Sequence, residues 1–413
     1  MKTFTIVLTA GFLLYTAVVA VGDDIVLGTG PKVEVRTELD LFAEPLGVGW
    51  DFNLDGEGDV KSLSRAGSMA EKKIAVGMGD GLLRTLDAAN KTWAGATSAH
   101  LTSGAGSGKA IQTLARRQDG HIAGGTDGFG PPATANGIFY RDWTNVQQDA
   151  PVGGSAWSWY NNDDFVASDV LPNGNLVFAA AGYMWIVDQD NTGNALGETG
   201  FAWGDWVQDI AVDQTTGNIV VAHTYGGLEV YDSANLGAGP IGVATLLAGN
   251  GSQQFTEVEV LSDGLVVAGT SLGTVYTFAD SADLFADISG AFTFSSGAIT
   301  ALEVTSNDNI IIAGDLANGQ GQVFVRDGHN PLSTPTGYIA GDGAVFEWVV
   351  KDILAIGGAA PTTCSEVLAL GYSLQRDLND DCVVNFLDYA EFLKSWGDCI
   401  NPTDGNCAPF PWE

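Results

Sequence analysis

Short apolar runs, each followed by a segment of alternating polarity, recur along most of the chain. The clearest pair is Asn309–Asp315, which is continuously apolar up to Gly314, and Gln322–Asp327, in which polar and apolar residues alternate. A short continuous apolar run indicates a strand buried on both faces, and alternation indicates a half-buried strand. Similar pairs begin at Ile74, Leu176, Ile219 and Leu265, and weaker copies of the first member begin at His121 and Ile353.

The copies share an alanine, which marks their spacing. It stands at positions 75, 123, 179, 222, 268, 313 and 355, so successive steps run from 42 to 56 residues. Self-similarity at this period is typical of four-stranded propeller blades, and no strong amphipathic helix separates the copies. The sequence therefore predicts an all-β fold, a β-propeller of about seven four-stranded blades, with six or eight blades as alternatives.

The two ends of the repeat region are incomplete in complementary ways. Ile25–Gly28 and Lys32–Arg36 resemble the second and third strands of a blade, whereas Val345–Gly358 resembles the first two. We predict that the two ends share one blade, because such closure removes exposed sheet edges that could pair with other chains.

Composition and the N-terminus bear on the location of the protein. Met1–Ala20 has a lysine followed by an uncharged apolar run that ends in small residues. This pattern predicts a secretory signal over residues 1–21 and therefore a secreted or cell-surface protein. The alternative is that the segment is not cleaved and serves as a membrane anchor. The formal charge of −33 disfavours nucleic acid and anionic lipid as partners. We expect no membrane insertion after cleavage, a propeller over 22–358, a linker over 359–373 and a small module over 374–413.

A first acidic loop follows the N-terminal strands. Asp51, Asn53 and Asp55 alternate, Gly56 allows a sharp turn, and Asp59 stands at the ninth position. Calcium prefers such a dense set of oxygen ligands. The run resembles the calcium loop of integrin-type propeller repeats, although Ser62 replaces the usual acid at the twelfth position. The alternative is an acidic turn without an ion.

Tryptophans are concentrated between residues 151 and 209. Trp157 and Trp159 precede one predicted first strand, and Trp203 and Trp206 precede the next. If these entrances lie near the mouth of the central channel, the rings are candidates for stacking on a sugar or on side chains of a protein partner. The favoured alternative is that they fill the space between blades.

The sharpest motif lies near the C-terminus. Acidic and amide side chains occupy the first, third, fifth, ninth and twelfth positions of a loop, and Val383 would offer its backbone carbonyl at the seventh. The predicted Ca²⁺ ligands are Asp377, Asn379, Asp381, Val383, Asn385 and Asp388. An apolar stripe at helical spacing follows, from Tyr389 to Trp396. The pattern predicts a calcium-binding loop that leads into a helix.

This segment resembles a type I dockerin repeat, and the wider stretch from Thr363 to Cys407 looks like a cysteine-bearing module of exported bacterial proteins. Cys382 replaces the usual glycine at the sixth position, and only one repeat is present. A cohesin-like partner is therefore an expectation that competes with surface attachment or sorting. Two disulfides are expected among Cys364, Cys382, Cys399 and Cys407. Three pairings exist, of which Cys364–Cys382 with Cys399–Cys407 is favoured.

Signals for catalysis are weak. The four histidines are scattered, and Thr85–Trp93 resembles the aspartate box of sialidase propellers only faintly, so we interpret it as a turn. We therefore expect a secreted, non-catalytic propeller that binds a protein or glycan partner and is tethered through a Ca²⁺-binding, dockerin-like tail. The alternative is an extracellular polysaccharide-degrading enzyme with such a tail. A quinoprotein-type oxidoreductase is the weakest hypothesis, because no repeat has the tryptophan-docking pattern.

Overall fold

The structure is a computed structural model. It describes residues 23–38, 41, 50–51, 59–67, 73–87, 92–93, 99–100, 110–117, 120–126, 137–141, 157–158, 164–189, 195–201, 206–225, 227–245, 253–278, 288–293, 297–316, 318–334 and 343–356. The chain divides after Gly357 into two units, and every described residue belongs to the first. The described part contains strands and one short 3-10 helix, Leu236–Ala238, and no α-helix.

The strands form seven antiparallel sheets, numbered I to VII along the chain. Sheet I contains β1 (Asp24–Thr29), β2 (Lys32–Thr37), β3 (Trp50–Asp51) and, from the far end, β29 (Val350–Ile356). Sheet II contains β4 (Val60–Ala66), β5 (Lys73–Met78), β6 (Leu82–Asp87) and β7 (Thr92–Trp93), with β8 (Ala99–His100) also paired to β6. Sheet III contains β9 (Ile111–Arg116), β10 (Ile122–Thr126), β11 (Gly137–Arg141) and β12 (Trp157–Ser158).

The remaining four sheets are built from consecutive strands. Sheet IV contains β13 (Phe165–Val170), β14 (Leu176–Ala180), β15 (Tyr183–Val187) and β16 (Ala195–Gly200). Sheet V contains β17 (Val207–Val212), β18 (Asn218–His223), β19 (Gly227–Asp232) and β20 (Gly242–Thr245). Sheet VI contains β21 (Phe255–Val260), β22 (Val266–Thr270), β23 (Thr274–Phe278) and β24 (Ile288–Thr293). Sheet VII contains β25 (Ile299–Val304), β26 (Asn309–Asp315), β27 (Gly321–Asp327) and β28 (Ala344–Phe346).

Sheet I joins the two ends of the described chain. Strand β1 pairs with β2 on one side and with β29 on the other, for example Val26 with Leu354. The predicted sharing of one sheet is confirmed, but the predicted boundary is wrong. Val345 belongs to β28, which pairs with β27 at the outer side of sheet VII, so β29 alone completes sheet I.

The first strands of the sheets (β29, β4, β9, β13, β17, β21 and β25) share one irregularity. In every sheet the pairing between the first and second strands shifts by one residue just after a buried apolar side chain. Such a bulge bends the strand and increases its twist. The residues that precede the shift are Val60, Ile111, Phe165, Val207, Phe255, Ile299 and Val350.

Each second strand has a small residue at the point where the neighbouring sheet packs against it. The residue paired just beyond the bulge is glycine or alanine in all seven sheets: Gly28, Gly77, Gly125, Ala179, Ala222, Gly269 and Ala313. A larger side chain at this position would clash with the first strand of the next sheet. A Cβ atom on Gly269, for example, would lie 2.5 Å from Cγ2 of Ile299. The small residues therefore set the close approach between sheets.

The core lies between the sheets rather than at one centre. Seven apolar clusters of described residues each combine side chains of two neighbouring sheets, from I with II to VII with I. Each first strand also lies against the first strand of the following sheet, and β29 contacts both β25 and β4. Burial on both faces explains why the second strands are continuously apolar.

Candidate functional site: a carboxylate-lined channel and its entry edge

The first strands of all seven sheets line one cavity with a volume of about 820 Å³, which we call the channel. They supply side chains from Lys61 in β4 round to Asp352 in β29. Because the bulges occur at the same point of each strand, equivalent positions of neighbouring strands lie at similar depths in the channel. Most acidic groups of the channel stand at two positions of a first strand. One position comes directly after the bulge, and the other lies two residues further on.

Carboxylates at these positions connect neighbouring sheets. In four places, a side-chain oxygen of one first strand accepts the N–H of a residue on the next first strand. The four pairs are Asp352 with Leu63 at 2.6 Å, Asp169 with Val212 at 2.7 Å, Asp209 with Val258 at 2.9 Å and Glu303 with Ala355 at 2.9 Å. The acids thus accept hydrogen bonds from backbone N–H groups that the bulged strands would otherwise leave without an acceptor.

Burial raises the pKa of each of these groups, because the interior solvates a charge poorly. The pKa of Asp169 rises to about 6, and those of Asp209 and Asp352 to about 7, despite the N–H groups that favour ionisation. Burial likewise raises the pKa of Glu303 to about 8. Such values allow proton exchange near neutral pH.

Glu257 and Glu259, both on β21, differ from the four linking acids. Burial raises both pKa values well above the usual range, and neighbouring carboxylates raise them further. Neither carboxylate accepts a hydrogen bond from another described residue. These two acids therefore face the channel with free acceptor capacity.

The charges are distributed unevenly around the channel. The neighbouring strands β13, β17, β21 and β25 carry five acidic residues and no lysine or arginine: Asp169, Asp209, Glu257, Glu259 and Glu303. The basic lining residues, Lys351, Lys61, Arg65 and Arg116, belong to β29, β4 and β9. One side of the channel is therefore an acidic wall, a name we use below for the side formed by β13, β17, β21 and β25.

We call the end of the sheets at which the first strands begin the entry edge. The turns between second and third strands lie at the same end, because neighbouring strands run antiparallel. Exposed apolar side chains occur here in several sheets: Tyr183, Trp206, Tyr225, Leu272 and Trp348. Trp206 and Tyr225 lie close together, since the Trp206 carbonyl accepts both the N–H and the hydroxyl of Thr224.

The structure describes only some of the residues predicted to form sites. Trp206 is exposed immediately before β17, whereas Trp157 belongs to β12, the outer strand of sheet III. Trp159 and Trp203 lie outside the described residues. The predicted aromatic patch of four tryptophans therefore stays a prediction, and only Trp206 is placed with its side chain.

Most of the predicted metal ligands also lie outside the described residues. Asp51 ends β3, and Asp59 is exposed directly before β4, whereas Asn53 and Asp55 are not described. The whole C-terminal set lies outside as well: Asp377, Asn379, Asp381, Val383, Asn385, Asp388, Cys364, Cys382, Cys399 and Cys407. Within the described ranges, no three histidine, cysteine or acidic side chains are grouped to hold a metal ion.

The described histidines do not form a common centre. His223 is buried beneath Phe201, and its Nε2 atom lies 3.3 Å from Oε2 of Glu229. The nearby imidazole of His223 lowers the pKa of Glu229, which also accepts the hydroxyl of Tyr231. His329 is exposed and lies 3.0 Å from Asp263. These arrangements stabilise turns and sheet contacts.

The channel acids were not singled out from the sequence. Their signal is a carboxylate within an otherwise strand-like segment, as in Phe255–Val260, where Glu257 and Glu259 alternate with Thr256, Val258 and Val260. That alternation is also typical of a strand with a solvated face. The sequence could therefore not distinguish channel acids from ordinary surface acids.

No protein-family model matches the chain, and a search of curated proteins finds no match. In the part of the chain that the structure describes, no helix has the length and apolar character needed to cross a membrane.

Proposed function

We propose that the protein is an exported β-propeller that binds a protein or glycan partner at its entry edge. The seven sheets would be the blades, and sheet I would close the ring. The repeated bulge, the seven clusters between sheets and the pairing of β1 with β29 support this architecture. A rigid ring of this kind holds the turns of several blades at one face, where they can contact a partner together.

The observation that carries the proposed function is the exposed aromatic and apolar group at the entry edge. Trp206 is 56% exposed and Tyr225 is 70% exposed, although large aromatic side chains are normally buried. Exposed apolar groups of this kind mark binding surfaces, and tryptophan and tyrosine supply much of the energy at interfaces and on sugar rings.

The ends of the chain supply the rest of the proposal. The signal-like N-terminus supports export, and the resemblance of the C-terminal loop to a dockerin repeat supports a Ca²⁺-binding tail. The tail would bind a cohesin-like or cell-surface partner and hold the propeller outside the cell. Two disulfides would stabilise it where calcium is scarce.

Binding of purified mature protein to a glycan array and to a panel of extracellular polypeptides tests the proposal. Trp206→Ala should weaken binding of the partner found in this way at least tenfold, without lowering the melting temperature. Leu332→Ala is the matched control, because Leu332 is 66% exposed in the turn that follows β27, at the other end of the sheets. Equal losses in the two variants would contradict the entry edge as the binding surface.

The second candidate is an extracellular polysaccharide-degrading enzyme. The observation that favours it is the set of raised pKa values in the channel, because a general acid must keep its proton near neutral pH. A screen against soluble polysaccharides, with reducing ends as the readout, decides between the candidates. Release that is lost in Glu259→Gln would favour the enzyme, and no release at all would favour the binding protein.

A further inference from the structure

We infer that the partner bound at the entry edge is a basic polypeptide segment, and that its lysine or arginine side chain reaches the acidic wall of the channel. This inference rests on the proposed function, since it names the partner of the same surface. It combines two features that occur on the same sheets, namely exposed apolar groups and acids without a hydrogen-bond donor among the described residues.

The exposed groups lie on three consecutive sheets. Tyr183 in sheet IV is 36% exposed, Trp206 and Tyr225 in sheet V are 56% and 70% exposed, and Leu272 in sheet VI is 49% exposed. Tyr225 and Leu272 occupy turns between second and third strands, Tyr183 begins the third strand β15, and Trp206 precedes the first strand of sheet V. We call these exposed groups at the entry edge of sheets IV to VI the rim.

The strands that form the acidic wall begin at the same edge as this rim. The first strands of the same three sheets, β13, β17 and β21, carry Asp169, Asp209, Glu257 and Glu259. The basic lining residues belong to sheets I to III instead. A group that docks on the rim therefore meets several carboxyl groups on strands that carry no lysine or arginine.

Two members of the wall have acceptor capacity to spare. Asp169 and Asp209 already accept N–H groups from the neighbouring first strand. Glu257 and Glu259 accept no hydrogen bond from a described residue. Glu257 is two residues inside β21, which places it about 7 Å below the start of the strand at the rise of an extended chain. An ammonium or guanidinium group on a long flexible side chain can reach this depth.

A cationic occupant fits these acids best, because its charge would lower the raised pKa values of Glu257 and Glu259 and so favour their carboxylate forms. Ammonium and guanidinium groups donate charge-assisted hydrogen bonds to carboxylates, and their stems and charges interact favourably with aromatic rings. The formal charge of −33 would attract a basic segment over long distances and repel an acidic one. A neutral glycan could use the rim but would not favour ionisation of Glu257 and Glu259.

The test uses the full mature chain and three fluorescein-labelled peptides with the same Gly-Ser framework. They contain three lysines, three glutamines or three glutamates, and binding is followed by fluorescence anisotropy at low and physiological salt. We expect the lysine peptide to bind at least tenfold more tightly than the other two. Glu257→Gln and Trp206→Ala should each weaken its binding at least fivefold.

Glu198→Gln is the matched charge control, because Glu198 is an exposed acid on the outer strand β16. It should leave the affinity unchanged, and circular dichroism should show that every variant is folded. The inference is overturned if the lysine peptide binds no better than the glutamine peptide, or if Glu198→Gln costs as much as Glu257→Gln. A glycan or neutral peptide whose binding depends on Trp206, with no preference for lysine, would refute the inference and leave the proposed function standing. If Trp206→Ala alters the binding of no probe, both fail.

Discussion

Glu303 offers the clearest test of the channel electrostatics. It lies in β25, and its Oε1 atom accepts the N–H of Ala355 in β29 at 2.9 Å. Burial is the main reason that the pKa of Glu303 rises from 4.5 to about 8, and the negative charge of Asp352 raises this pKa further. The hydrogen bond from Ala355 and the positive charge of Arg65 lower the pKa and offset part of the rise. Glu303→Gln keeps an acceptor for Ala355 and removes the ionisation.

The direction of the pH effect follows from proton binding. In the unfolded chain the Glu303 carboxyl ionises near pH 4.5, whereas in the fold it keeps its proton until about pH 8. Between these values the folded protein binds one more proton than the unfolded chain, so stability falls as pH rises. One such proton corresponds to about 1.4 kcal/mol per pH unit, or about 2–3 kcal/mol between pH 5 and pH 7.

The assay is urea unfolding at pH 5, 6, 7 and 8, followed by tryptophan fluorescence. We expect the wild-type free energy of unfolding to fall with pH, and that of Glu303→Gln to fall less steeply by about 1 kcal/mol per pH unit. Glu198→Gln should follow the wild type, because Glu198 is exposed. Parallel curves for wild type and Glu303→Gln would refute the assignment of a buried, protonated acid.

Three further outcomes are expected. Gly269→Ala should lower the free energy of unfolding by about 1–3 kcal/mol, because the new Cβ would clash with Ile299. Gly237 has open space around it, so Gly237→Ala should lower the free energy of unfolding far less. Chemical denaturation measures both effects. Calcium titration of the full chain by calorimetry should show a binding event that Asp377→Ala abolishes, and an unchanged signal would contradict the predicted tail site. N-terminal sequencing of exported protein should find a start close to Gly22, and a retained Met1 would contradict the predicted signal.

The repeated alanine shows how far sequence pattern leads and where it stops. Ala179, Ala222 and Ala313 occupy the small-residue position at which the next sheet approaches, so the pattern reflects a real packing constraint. In other copies glycine holds this position, and the alanine stands one or two residues earlier, as Ala268 and Ala75 do. Glycine and alanine satisfy the same steric need, so the count of sheets was predictable although the register was not.

The last copy was misplaced for a related reason. Ala355 lies in β29, a first strand, and the second strand of its sheet is β1 at the other end of the chain. A run such as Ile353–Ile356 is apolar enough to resemble a second strand because Ile353, Ala355 and Ile356 are buried. Only the pairing with β1 reveals its place, and pairing between distant segments is not encoded in a local pattern.

The candidate site was less predictable than the fold. The aromatic enrichment before β17 drew attention to Trp206, but the favoured expectation was that such rings fill the space between blades, whereas the Trp206 side chain is exposed at the entry edge. The acidic wall depends on which face of each first strand is turned to the channel, and one bulged residue changes that face. The raised pKa values of Asp209 and Glu303 arise from burial among other acids on separate strands, and they become apparent only once the sheets are assembled.

Amide hydrogen exchange of β1 shows whether the two ends of the described chain form one sheet and so complete the set of seven. We expect the amides of Ile25–Thr29 to exchange as slowly as those of β22 in sheet VI, because β1 has a partner on each side, β2 and β29. Exchange of β1 within seconds, while β22 stays protected, would contradict the pairing and the assembly built on it.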